Sequence, residues 1–128
     1  MRFIADFHIH SHFSLATSKE LIPEWLDYWA RVKGITVVGT GDFTHPGWIK
    51  ELKEKLEPAE AGLFKLKNEF RKPNNYHIPG FEELPVRFML TAEISNIYKK
   101  NDKTRKVHNL LFAPDFETVE CIQQALLN

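Results

Sequence analysis

The chain has 128 residues, enough for one small domain or for part of a larger one, and 43% of them are hydrophobic, so a packed core is possible. Its formal net charge is zero, which excludes a global field drawing it to nucleic acid or to an anionic membrane; any such binding would need local patches. The single cysteine, Cys121, excludes an internal disulfide, and Met1–Asp6 lacks a signal-peptide layout, so the expectation is a cytoplasmic protein with no membrane partner.

Arg2 to His8 reads as a short buried strand, followed by a polar loop over Ser11 to Ser18. Pro23 suits a first helical turn and Glu24 its positive end. Trp25, Leu26, Trp29 and Val32 recur at helical spacing, and Gly34 can end that helix. Ile35 to Gly39 is a β-branched run and hence a strand. Strand, helix and strand with short connections predict a βαβ unit and a parallel sheet. A loop rich in helix breakers, Thr40 to Gly47, leads to a helix over Trp48 to Leu56 and a second one over Ala59 to Phe70. Residues Arg71 to Pro85 carry three prolines and a glycine and form an irregular connection. Arg87 to Tyr98 and Arg105 to Phe112 are strands of an antiparallel hairpin, turning over Lys99 to Thr104. Asp115 is a good N-cap for a final helix ending at Leu127, with Val119, Ile122 and Leu126 on one face. Cys121 in that helix reads as a buried small hydrophobe.

The chemistry starts at Asp6-Phe7-His8-Ile9-His10. Residues two apart on a strand point to the same side, so His8 and His10 can offer two imidazoles to one ion such as zinc or manganese. Asp6 would lie on that side too, as a ligand or as the carboxylate that orients a histidine. Asp42 and His45 follow the second strand and, in a parallel sheet, emerge at the same edge. Glu93 sits mid-strand among apolar residues, where a carboxylate is costly unless paired or metal-bound. His108 is a polar ring beside a core strand on the returning limb. The ordinary readings are half-exposed or hydrogen-bonded histidines, a turn aspartate and a solvent-facing glutamate. His12 lies near these residues but off the strand, and His77 reads as an ordinary loop residue. Lys99, Lys100, Lys103, Arg105 and Lys106 set five positive charges against Asp102 at the hairpin turn. They are either a solvated turn or a patch that steers a nucleic-acid backbone. No P-loop, Ser-His-Asp arrangement or dinucleotide fingerprint is present.

Four stretches in order, Asp6 to Ser11, Gly39 to Gly47, Thr91 to Ser95 and Val107 to Leu111, resemble the first motifs of the PHP (polymerase and histidinol phosphatase) superfamily. Ala16 to Lys19, Gly39 to Trp48 and Thr91 to Tyr98 are most similar to its endonuclease Q branch. The resemblance implies an α/β fold, the N-terminal half of a distorted (β/α)7 barrel, with Asn128 falling short of the remaining ligands. It implies His8, His10, Glu93 and His108 as metal ligands, with Asp42 and His45 as further candidates. It also implies two or more divalent ions in a complete domain: zinc or manganese, with magnesium as a third choice. The implied activity is metal-dependent DNA cleavage on the 5′ side of deaminated bases (uracil, hypoxanthine, xanthine) or abasic sites, the damaged base being flipped into a pocket. The chain departs from the superfamily pattern at Phe43, where a histidine ligand often stands, and at Ala16, where another ligand often falls. Two alternatives stay open: a small-molecule phosphoesterase of the histidinol phosphatase type, and a catalytically incomplete PHP-like structural module.

Overall fold

The computed structural model describes residues 2–76, 79, 80 and 82–127; His77 lies outside them. In chain order the elements are β1 (Ala5–Asp6), α1 (Pro23–Lys33), β2 (Val37–Gly39), α2 (Pro46–Lys55), β3 (Leu56–Pro58), β4 (Phe64–Leu66), β5 (Arg87–Lys100), β6 (Lys103–Ala113) and α3 (Phe116–Leu127). They form a mixed α/β structure whose sheet joins two parallel pairings, β1–β2 and β2–β5, to three antiparallel ones, β5–β4, β4–β3 and β5–β6. The sheet order is β1-β2-β5-β4-β3, with β6 paired to β5. β1, β2 and the start of β5 run parallel, in register Ala5 with Val37 and Val37 with Arg87. No helix among the described residues is long and apolar enough to cross a membrane.

Local chemistry accounts for most element ends. Pro23 opens α1, and Gly34 closes it in a left-handed conformation whose N–H returns to the carbonyls of Ala30 and Arg31. Asp115 accepts the Thr118 N–H at 2.7 Å and caps α3. The hairpin turns on Asn101 and Asp102 alone, both at positive φ (52° and 57°), the pairing that suits the twist of a two-residue hairpin. The core lies between the sheet and α1, α2 and α3. Phe88, Leu90 and Ala92 of β5 pack with Val38, Trp48, Leu52 and Val119, all buried.

Four expectations change. In place of the helix expected over Ala59 to Phe70, the chain turns and forms β4, which pairs antiparallel with the preceding β3, and then a 3₁₀ turn at Asn68–Phe70. Gly62, at φ 75°, turns the chain, and Phe64 and Leu66 alternate with exposed Lys65. On α1, the buried residues include Asp27, Tyr28, Ala30 and Arg31, whereas Trp29 is 42% exposed. The Arg31 guanidinium is what reverses the face. It pairs with Asp27 at 2.8 Å and Glu83 at 3.2 Å, and donates to the Lys72 carbonyl at 2.7 Å. It thereby ties α1 to the irregular 71–85 connection. Burial raises the Asp27 carboxyl above its usual range even though Arg31 lowers it. Cys121 is exposed, because α3 buries Val119 instead. The first strand is shorter than expected, since the chain leaves the ladder after Asp6.

Beyond Asp6 the chain passes directly over two glycines. A Cβ on Gly39 would stand 2.5 Å from the Phe7 carbonyl oxygen and 2.7 Å from Thr91 Oγ1. One on Gly41 would stand 2.3 Å from the Ile9 carbonyl oxygen, and Gly41 is at φ +64°. Only glycine lets the 7–10 segment lie this close to the end of β2.

Two outcomes follow. Arg31→Met strands a buried Asp27 carboxylate and should cost about 3–5 kcal/mol in denaturant unfolding, whereas adding Asp27→Leu should recover most of the loss. Gly41→Ala should lower stability by at least about 1 kcal/mol, through positive φ and the Ile9 clash, and shift the NMR resonances of His8 and His10.

Candidate metal centre

The segment held over Gly39 and Gly41 carries His8 and His10 past the C-terminal end of the parallel strands. There they meet Glu93, on the part of β5 that has left the parallel ladder for β6. His8 Nε2 lies 2.8 Å and His10 Nε2 3.3 Å from Glu93 Oε2. On the other side His108 Nδ1 pairs with Glu93 Oε1. The β5–β6 register places His108 there: Glu93 stands opposite Leu110 and His108 opposite Ser95, so the two are diagonal neighbours on one face. Among the described residues, His8, His10 and Glu93 each offer one ligand atom, all within 4.8 Å of one another. Two imidazole nitrogens and a carboxylate oxygen suit a borderline cation such as zinc or manganese. The hydrogen bond to His8 holds the Glu93 carboxyl below its usual range against the opposing effect of burial, and the charges of His108, His8 and His10 add to this. Glu93 is therefore an anion at neutral pH.

Asp42 belongs to this centre in another role. Its Oδ1 accepts from His10 Nδ1 at 3.1 Å. Its Oδ2 accepts from the Ser11 N–H at 2.6 Å and from the hydroxyls of Ser11 and Ser14, each at 2.8 Å. A carboxylate on Nδ1 fixes the proton there and leaves Nε2 of His10 free to bind a cation. Burial pushes the Asp42 carboxyl up, but the hydrogen bonds from Ser11, Ser14 and His10 outweigh it and hold it below the usual range. Asp42 is at φ 47°, a strained conformation that aspartate tolerates better than most residues. The loop around it is pinned by backbone and side-chain bonds. Thr91 Oγ1 accepts the Gly41 N–H at 2.9 Å, and the buried Trp48 indole donates to the Gly41 carbonyl at 2.9 Å.

The remaining expected residues have other placements. Asp6 is in register with Val38 and lines, with Val38 and His10, a cleft of about 380 Å³ along α1 that also includes Trp25 and Trp29. The carboxylate bonded to His10 is that of Asp42. His45 caps α2, its Nδ1 accepting the Trp48 N–H at 3.4 Å, and its ring stacks on Phe13 with centroids 4.2 Å apart. His12 Nε2 pairs with Glu51 at 2.7 Å. The five hairpin cations are all exposed and divide between two faces. Ser11 and Ser14 escaped the sequence reading. Their bonds to Asp42 span 31 and 28 positions, so nothing local signals them.

No family model matches the chain. An uncharacterized protein of Methanocaldococcus jannaschii, MJ0043, is 45% identical over 49 residues, which is 38% of this chain and 6% of that protein. Two solved structures are similar over 94% of this chain, each with a TM-score of 0.68 and 30% identity. One is PfuEndoQ, a lesion-specific endonuclease from Pyrococcus furiosus. The other is endonuclease Q in complex with a 27-mer duplex substrate bearing an abasic lesion at the active site. The chain spans about a quarter of the length of either (24% and 25%). The resemblance to the endonuclease Q branch, first visible in Ala16 to Lys19, Gly39 to Trp48 and Thr91 to Tyr98, thus extends to the fold of nearly the whole chain.

Proposed function

We propose that this chain is the N-terminal portion of a distorted (β/α)7 PHP barrel in a cytoplasmic, metal-dependent DNA-repair endonuclease. It would cut DNA on the 5′ side of deaminated bases or abasic sites. The observation that carries this reading is Glu93 held between His8 and His10 on one oxygen and His108 on the other, in a chain similar throughout to a lesion-specific endonuclease. His8, His10 and Glu93 would hold a divalent ion. His108 would serve a second one on the far oxygen of Glu93, since a carboxylate can use both oxygens as ligands. Such ions, when bound, acidify a coordinated water and stabilise charge on a phosphoryl group. The chain's own residues prepare for that chemistry. Asp42 sets the tautomer and angle of His10, the 40–43 loop holds Asp42, and Glu93 supplies negative charge. The exposed cations of the hairpin favour DNA over a small phosphate ester, because a polyanion alone would need positive charge spread along an extended arm. DNA carrying uracil, hypoxanthine or xanthine is the expected partner, with the hairpin cations Lys99, Lys100, Lys103, Arg105 and Lys106 as candidate contacts.

Cleavage of an abasic or uracil-containing duplex by the full-length protein tests this directly. It should vanish on chelation and return with zinc or manganese. His8→Ala should abolish cleavage yet leave duplex affinity largely intact; equal loss of both would point to DNA contact or misfolding instead. Asp42→Ala should weaken metal binding by about 10–100-fold in competition with a chromophoric chelator, since it removes only the support of His10. Hydrolysis of histidinol phosphate, with the lesion duplex left uncut, would select the phosphatase reading.

A further inference from the structure

The β5–β6 ribbon runs on well past the core, and every residue from Ser95 to Asn109 is exposed. A two-stranded ribbon standing alone is marginally stable in water, and packing within these 128 residues does not explain its length. Resting on the DNA-cleaving reading above, we propose that the ribbon is a backbone-gripping arm that works through one face. On that face Lys106 and Lys99 hold phosphates several base pairs from the cut.

The register decides which cations share a face with the centre. Directly opposed residues lie on one face, and faces alternate along each strand. The pairs Glu93–Leu110, Ser95–His108, Ile97–Lys106 and Lys99–Thr104 therefore form the face of the metal centre. The pairs Asn96–Val107, Tyr98–Arg105 and Lys100–Lys103 form the other. Lys106 and Lys99 are the only charged residues on the centre's face between Ser95 and His108. Lys100 and Lys103 oppose one another at the tip, where like charges repel and discourage pairing with a second chain. They have an explanation that needs no DNA.

Distances along the strands set the reach. At a rise of about 3.4 Å per residue, Lys106, opposite Ile97, stands roughly 14 Å along the ribbon from Glu93, and Lys99 roughly 20 Å. Duplex DNA advances about 3.4 Å per base pair, so for a duplex lying along the ribbon these spacings correspond to about four and about six pairs from the cut. One face of the ribbon thus offers cations at two steps along a duplex whose scissile phosphate sits at Glu93.

The test compares two double variants of equal charge in the full-length protein, Lys99→Glu/Lys106→Glu and Lys100→Glu/Lys103→Glu. The probe is a duplex with one abasic site, titrated across a range of salt. The centre-face pair should weaken binding at least about tenfold and reduce the slope of log affinity against log salt by about two, one for each lost phosphate contact. The tip pair should change affinity by less than about threefold, because charge on the far face is screened within about 8–10 Å. The neutral Lys99→Gln/Lys106→Gln pair should shift binding the same way by a smaller factor. Equal losses from both charge-reversed pairs would overturn the assignment to one face. Unchanged binding in both would overturn the arm itself while leaving the nuclease reading intact, since cleavage by the unmodified protein is scored in the same assay. Failure of the unmodified protein to bind or cut the lesion duplex would remove both.

Discussion

The arrangement depends on one close crossing, where the backbone from Phe7 to His10 lies on the end of β2 with no room for a side chain beneath it. Gly39 and Gly41 create that room. Every functional distance in the centre follows from it. The crossing sets the height at which His8 and His10 meet Glu93, and it brings Ser11 and His10 within bonding range of Asp42. The cost is local strain at Asp42, a non-glycine residue at positive φ; Gly41 takes its positive φ freely. That strain is offset by the bonds of Thr91, Trp48, Ser11 and Ser14, which leave the loop few alternative conformations.

Two carboxylates of similar intrinsic acidity are given different work by their neighbours. Three donors on Oδ2 and the His10 imidazole on Oδ1 bind Asp42 into its own loop. Glu93 is surrounded by imidazole nitrogens, groups that can exchange a hydrogen bond for a metal bond without losing a partner. The same economy explains His45: at the start of α2 its ring accepts an otherwise unpaired helix N–H, a local role that a histidine after a loop fills without any long-range partner.

Much of this was legible in the sequence where the cause is local. Pro23 and Gly34 bound α1, Asp115 caps α3, and the alternation of His8 and His10 against Glu93 anticipates their convergence. The failures are where distant residues decide. The Ala59–Phe70 stretch has helix-forming residues, but the edge of β5 offered a partner to Phe64 and the segment became strand. The face of α1 could not be read from Trp25 and Trp29, because Arg31 finds Glu83 and the Lys72 carbonyl some forty to fifty positions away. Asp42 lies at the edge expected of it, and the folded loop adds the bonds of Ser11, Ser14 and His10 that its place in the sequence does not show.

The division of β5 is the last step connecting fold to function. Its first residues are held on both sides, by β2 and β4, and Phe88, Leu90 and Ala92 are fully buried. From Ser95 onward it has only β6 for a neighbour and no core beneath it. Glu93 stands at the change from one regime to the other. A carboxylate proposed to hold a metal needs a rigid base, because ligand geometry tolerates little displacement. Phe88, Leu90 and Ala92, fully buried just before it on the same strand, supply that base for Glu93. His108 approaches Glu93 from the ribbon's returning limb, so the geometry at Glu93 is set by the register of the same two strands.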